Sequence, residues 1–515
     1  MLDFLPLLCY NYYIILRGEI TSLDNDLSLD FMQKLLDKIN TLTVVITELN
    51  RQISVQTKTI DKLTNTIILQ EKKMAALKEQ INKNSNNSSK PPSSDGFNKP
   101  NPKSLRKPSG KKQGAQEGHK GKRFSITQSP DKTIRHIPSK CIGCSNVGKC
   151  ISCGITDTRY AVDIRIDTKV TAHQVLSFKC KKEGGKLLTG RFPANITGTI
   201  QYGDNLEALA VALNTVGMMG IKRTHDILSA VFGVPISTGT ICSMVKSCAG
   251  KLVNTVEQIR AIVTSLPLAH FDETGTRADK KTIWVHNASN EDFTYLTVEE
   301  KRGVVGMNAS GILPGFHGIA VHDCWKSYWS YDVTHAICCA HLLRELTGVS
   351  ENHPEQAWAD KMKKLLLHMK KARDTAVDSD KKNLSYYYLH GFDTEYDSII
   401  NKAREQNPIK EKQANKRGRL PKGKLRALVE RLAEYKGGVC LFTKNFIVPF
   451  DNNQTERDVR MVKVKTKVSG CFRTKEGADS FARIMSYIGT ANKHGINSFV
   501  AIKKALEGQS DFIFA

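Results

Sequence analysis

Eight residues spaced seven apart, Met32, Ile39, Ile46, Ile53, Ile60, Ile67, Met74 and Ile81, run through a segment in which Leu35, Leu42, Leu49, Leu63 and Leu77 hold a second register. A period of 3.5 sustained over about fifty residues commits the segment to helix and gathers both registers into one seam. Isoleucine at the first seam position and leucine at the second favour two parallel strands. Gln56 and Gln70 interrupt the leucine register, where buried polar groups fix alignment at a cost in stability. Residues 27–83 are therefore expected to form a coiled coil that makes the chain a dimer or a higher oligomer. The same pattern also suits an amphipathic helix packed on its own protein.

The flanks of this helix differ sharply. Residues 1–26 hold an apolar run from Phe4 to Leu16 that is too short to cross a bilayer, contains Asn11, and lacks a basic leader and a small-residue cleavage site. They are set apart as an unassigned N-terminal extension, and no membrane partner is expected. Residues 84–130 are rich in Ser, Asn, Pro, Gly and Lys, with almost nothing to bury, as in a disordered linker. Lys111, Lys112, Lys120, Lys122 and Arg123 belong to a run of cations there whose only acid is Glu117. Such a run is either a solvated tether or a phosphate-binding arm that releases counterions from DNA.

The whole chain leans the same way. With 76 Lys and Arg against 51 Asp and Glu, its formal net charge is +25, which attracts polyanions and is unusual for an enzyme of small molecules. Its 515 residues, 40% of them hydrophobic, are enough for about three or four domains with their own cores. Thirteen cysteines spread through a Lys-rich chain point to a reducing cytoplasm, with the protein associated with the nucleoid, rather than to a secreted disulfide scaffold.

Four of those cysteines, Cys141, Cys144, Cys150 and Cys153, form two Cys-x2-Cys pairs, with Gly143 and Gly154 suited to tight knuckles. A structural zinc ion is the expected ligand of residues 131–192, since four thiolates leave no open position for catalysis. The gap between the pairs is short, so His136 or Cys180 can replace one cysteine or serve another site. Residues 193–258 read as a helical DNA-binding domain. In it, IKRTHDILSAVFGVPISTGTICSMVKSCAG has the order of a helix-turn-helix, ending its first helix at Phe232-Gly233 and capping the second at Ser237. Lys222, Arg223 and Lys246 could meet phosphates, although helix pairs of this kind also fill ordinary cores.

From residue 259 the pattern changes to strands. LPLAHFDET, KTIWVHNAS and DFTYLTVEE read as three in succession, and GIAVHD and THAICCA as two more after a helix-compatible stretch. That order suits an α/β RNase H-like catalytic core in residues 259–345 and 441–515. Asp272 and Asp323 then end the first and fourth strands, and Glu456 stands on a late helix. The 133 residues from Asp323 to Glu456 are too many for a loop, so a helical insertion is expected at 346–440, with Lys416, Arg417, Arg419, Lys422, Lys424 and Arg426 crowded at one joint that faces DNA or solvent. Each acid has a plainer role available. Asp272 and Asp323 could close turns, Glu273 could take the place of Asp272 were strand alternation not to point it the other way, and Glu456 could complete a capping box begun by Asn453.

The motifs then occur in a familiar order: NSSKPPSSDG, GAQEGHKGKR, the cysteine pairs, QYGDNLEALAVAL, FGVPISTGTI, HFDET, VHDCWKSY, CCAHLLREL, KRGRLPKG and DNNQTERDVRMVKVKTKVSGCFRTKEGADSFARIMSYIGTANKHGINSF. From about residue 35 to about 510 the chain resembles the DDE transposases of the insertion sequence 66 family. The likeness departs where Cys180 is followed at the expected spacing by Glu183, and the first 26 residues match nothing in the family.

The resemblance implies binding of double-stranded DNA at terminal inverted repeats, cleavage at the element's ends, and joining of the freed 3′ hydroxyls to target DNA. It carries the three acids onto Asp272, Asp323 and Glu456, which would hold two Mg²⁺ ions, one activating the nucleophile and the other stabilising the departing oxygen. It also implies a structural role for Cys338 and His341, and Arg457 and Arg460 are candidate contacts to the DNA backbone. A nuclease of the RNase H type and a non-catalytic DNA-binding regulator, or inactive remnant, share these features in part.

Overall fold

The computed structural model describes residues 25–88, 95, 129–151, 154–164, 167–409 and 423–514. The chain divides after Lys83 into two units. The first is dominated by one helix, α1 (Asn25–Ile81), unbroken over 57 residues. Its seam stands in solvent: Ile39, Ile46 and Ile53 are 52%, 56% and 59% exposed.

In the second unit, the described residues between 129 and 202 carry little regular structure beyond short 3-10 turns and an antiparallel hairpin of β1 (Ser177–Cys180) and β2 (Lys186–Thr189). Four helices follow: α2 (Asp204–Thr215), α3 (Ile221–Phe232), α4 (Thr238–Lys251) and α5 (Val253–Thr264). The turn between α3 and α4 is written in its residues. Gly233 takes the left-handed conformation that ends α3 at little steric cost, and the Ser237 hydroxyl accepts from Thr240 N to cap α4.

The sheet is built from β3 (Leu268–Ala278), β4 (Lys281–Ser289) and β5 (Thr294–Glu299) as an antiparallel meander. A crossover through the short helix α6 (Val304–Ala309) leads to β6 (Ile319–His322) and β7 (Thr334–Ile337), both parallel to β3. Across the sheet the order is β5-β4-β3-β6-β7. β3 is longer than expected: it does not stop near the acid but runs on to Ala278. Asp279 and Lys280, both at positive φ, then make the two-residue turn into β4.

Among the described residues eight more α-helices follow: α7 (Cys339–Asn352), α8 (Ala357–Asp378), α9 (Tyr386–Gln406), α10 (Lys424–Glu434), α11 (Lys436–Lys444), α12 (Asn453–Ser469), α13 (Lys475–Lys493) and α14 (Ser498–Leu506). Alternation along the strands sorts the two faces of the sheet. Ala269, Phe271 and Ala320 enter a core shared with α2, α4, α5, α13 and α14, so the first helices pack on the sheet rather than forming a separate body. Val321, Ala336 and Ile337 enter the other core, formed by α7 to α11. Within it Tyr396 is fully buried and donates its hydroxyl to Leu432 O at 2.9 Å, so its one polar atom is satisfied. Among the described residues no helix is long and apolar enough to cross a membrane.

Candidate active site

Sheet register brings the first two acids side by side. β3 and β6 run parallel with His270 opposite Val321, so two residues further along each chain come Asp272 and Asp323. Even-numbered positions of β3 face α12. His270 Nδ1 lies 2.6 Å from Asn452 Oδ1 at the start of that helix, and Thr276 Oγ1 lies 3.0 Å from Thr466 Oγ1 further along it. Asp272 shares this face by alternation, and Glu456 stands in the first turn of α12, near enough for its charge to be felt at Asp272.

The carboxyl of Asp272 is held well above the ordinary carboxylate range, first by burial and then by the negative charges of Glu273, Asp323 and Glu456. Three other acids thus press on one half-buried strand position. Glu273 is placed differently. It points to the opposite face, where Oε1 accepts from Arg302 Nε and Nη2 at 2.8 and 2.7 Å and Oε2 accepts from Tyr328 Oη at 2.7 Å. Arg302 is itself held over Trp325 and Trp284, 4.1 and 5.1 Å from the ring centroids.

Asp323 follows the last residue of β6 and is turned by strained backbone. Cys324, buried, has φ 71°, a left-handed conformation that costs a residue with a Cβ. Asp323 Oδ1 accepts from Trp325 N at 2.9 Å. Beneath the turn the histidine protons are fixed by their partners. Cys324 N donates to His322 Nδ1, so Nε2 carries the proton and donates to His335 Nδ1; His335 Nε2 in turn donates to Tyr331 O. Burial, then His335, push the His322 imidazole down to about 3, so it stays neutral.

Glu456 does not close a capping box. Asn452 is the N-cap residue, and its side chain serves tertiary structure instead: Oδ1 meets His270 and Thr455, Nδ2 donates to Phe271 O, and the backbone N donates to Cys338 Sγ. Glu456 Oε1 accepts from Arg344 Nη2 at 2.9 Å and lies 3.7 Å from His341 Nε2. The expected brace of Cys338 and His341 therefore divides. Cys338 is buried against Asn452, whereas the His341 ring turns to Glu456 and leaves its Nδ1 buried without a hydrogen-bond partner.

All three acids offer oxygen, the donor that hard divalent ions prefer, and the charges of Asp323 and Glu456 are both felt at Asp272. As the side chains stand, with Glu456 on Arg344, no three His, Cys, Asp or Glu groups among the described residues are close enough to hold an ion. That holds for the cysteine knuckles as well. Cys141 and Cys144 flank a turn with Gly143 at φ 76°, Cys150 is exposed, and Cys153 lies outside the described residues.

A family model described as Transposase IS66 family matches residues 199–480, more than half of the chain, and the match contains all three acids. The chain belongs to this family. A second model, described as a family of unknown function (DUF6444), matches residues 32–125, and no curated protein matches.

The cations expected to meet DNA fare differently in this IS66-family chain. Arg457 and Arg460 lie on the exposed side of α12, with Arg457 donating to Gln454. Lys222 pairs with Asp226 at 3.2 Å, and Arg223 donates to Val468 O at 3.3 Å. Lys111, Lys112, Lys120, Lys122, Arg123, Lys416, Arg417, Arg419 and Lys422 lie outside the described residues. Arg426 is not free for DNA, because its Nη1 donates to Arg404 O and Asn407 O at 3.0 and 2.8 Å. Arg344 and Asn452 went unnamed in the sequence, although one follows His341 by three residues on a helix and the other precedes Glu456 by four.

Proposed function

We propose that this member of a transposase family binds the terminal inverted repeats of a mobile element, cleaves at their ends and joins the freed 3′ hydroxyls to target DNA, with Asp272, Asp323 and Glu456 as its catalytic acids. The observation that supports the reading is the pairing of β3 with β6, which sets Asp272 and Asp323 two residues beyond the paired His270 and Val321, while the charges of Asp323 and, least of all, Glu456 help to hold the buried Asp272 carboxyl up. A meander of three strands, a crossover and two parallel strands supports an RNase H-like core, interrupted between β7 and α12 by the helical insertion. Magnesium held by these acids would neutralise their charge and polarise the attacking and leaving oxygens of an in-line displacement.

The chain's own residues prepare that chemistry. Asn452 ties the strand of Asp272 to the helix of Glu456, the turn at Cys324 orients Asp323, and Arg302 with Tyr328 keeps Glu273 off the reacting face. The helix pair α3–α4 supports repeat binding by a helix-turn-helix, the cysteine pairs a structural zinc ion, and the exposed seam of α1 a dimer.

The test is a Mg²⁺-dependent joining assay on DNA ends with wild type, Asp272→Asn, Asp323→Asn and Glu456→Gln. Joining by wild type alone, with repeat binding kept by all four, is the expected result. Cutting without joining would make the protein a nuclease. Binding without either would make it a regulator.

A further inference from the structure

The outer side of the insertion carries a groove that the acid site does not use. α8 and α9 bury Met362, Leu365, Phe392 and Tyr396 between them, and on the outside they enclose about 690 Å³ lined by Lys361 and Lys364 from one helix and His390 and Lys402 from the other. Among the described residues its lining holds one acid, Glu395. None of the three lysines forms an ion pair with a described residue, whereas neighbouring Lys363 pairs with Asp360. Ammonium groups without a close carboxylate partner among the described residues, lining a concave surface, suit a chain of phosphates.

One lining residue, His390, links the groove to aromatic rings at the start of α9. Tyr386 and Tyr387 are 81% and 85% exposed, an arrangement that gives almost all of two large rings to water a few residues after Lys381 and Lys382. Tyr386 stacks on His390, with ring centres 5.7 Å apart and planes within 10°, and His390 belongs to the groove. A cationic track that runs into stacked, open ring faces is the chemistry that holds unpaired bases. A duplex offers base edges in its grooves and no free face along its length.

We propose that this groove binds single-stranded DNA, stacking bases on Tyr386 and Tyr387 while Lys361, Lys364 and Lys402 hold the backbone. The site stands apart from the acids and does not depend on their catalytic role.

The full chain is irradiated with short oligonucleotides bearing 5-iododeoxyuridine, and crosslinked peptides are mapped by mass spectrometry. Affinity is measured in parallel for oligodeoxythymidine and for a duplex without repeat sequence. Crosslinks are expected at Tyr386 or Tyr387. Replacing both by Ala should weaken single-strand binding by roughly tenfold or more, replacing both by Phe should preserve it, and duplex affinity should hold in each variant. Changing the three lysines to Gln should lower the salt slope of single-strand binding by about two. Crosslinks found only elsewhere, with the Ala variant binding as tightly as wild type, would overturn the proposal. Equal losses for single strand and duplex would overturn it too, in favour of a duplex-binding face.

Discussion

Nη2 of Arg344 stands 2.9 Å from Oε1 of Glu456, joining α7 to α12 through a pair whose side chains are each about a quarter exposed. On the proposed role of Glu456 as a metal ligand, the guanidinium occupies an oxygen that a divalent ion would need, and the two cations would compete for one carboxylate. Removing the competitor should favour the ion. Arg344→Ala is expected to bind Mn²⁺ several-fold more tightly by calorimetric titration, at a cost of about 1 kcal/mol in stability without metal. Unchanged affinity would remove Glu456 from the ligand set.

Asp272 predicts a trade between stability and activity. Its carboxylate is buried among three other acids, so the charged form strains the fold when no cation is present. Asp272→Asn keeps the shape and removes the charge, and should raise Tm by a few degrees in chelator while abolishing joining. Mg²⁺ should raise the wild-type Tm and leave that of the variant where it was. A variant less stable than wild type in chelator would show that repulsion does not govern this position.

Lys465 gives a pH dependence remote from the acids. It is buried and donates to Asn214 O and Met219 O at 2.6 and 2.9 Å, and burial pushes its ammonium down to about 8. The unfolded chain holds that proton up to about 10.4, so between the two values the unfolded state binds more protons and stability rises with pH. Denaturant titrations from pH 7.5 to pH 10 should show this group's contribution growing toward about 3 kcal/mol. Lys465→Met should flatten the rise. An identical slope in both proteins would assign it to other groups.

Sequence periodicity located the strands because their alternation is sharp. KTIWVHNAS corresponds residue for residue to β4, and the turn from Gly233 to Ser237 carries its own instructions in a left-handed glycine and a serine cap. β3 was legible only to Thr274, because Asp279-Lys280 makes a turn without the glycine that usually announces one. In the site, the acids could be named from strand ends and spacing, but their partners could not. Arg344 reaches Glu456 across 112 residues, and Asn452 joins β3 to the Cys338 loop through bonds that only the packed chain creates. Arg426 could not be placed from sequence for the same reason: local charge density says nothing about two carbonyls, Arg404 O and Asn407 O, brought to that guanidinium by the fold.

The seam of α1 leads to the last prediction. A helix of 57 residues is roughly 85 Å long, and its first-register residues Ile39, Ile46, Ile53 and Ile60 are all more than half exposed. Each isoleucine buried against a second copy contributes about 1.5 to 3 kcal/mol, and the contributions accumulate along the heptads, so pairing is the outcome that satisfies the pattern. Placing charge at two adjacent seam positions should undo it. Ile46→Lys with Ile53→Lys is expected to halve the mass measured by light scattering and to lower helical circular dichroism, since a lone helix without its partner frays, whereas Lys58→Ala on the outside of the heptad should change neither. A wild-type protein already at the mass of one chain would overturn the pairing and leave the seam to be covered by the protein itself.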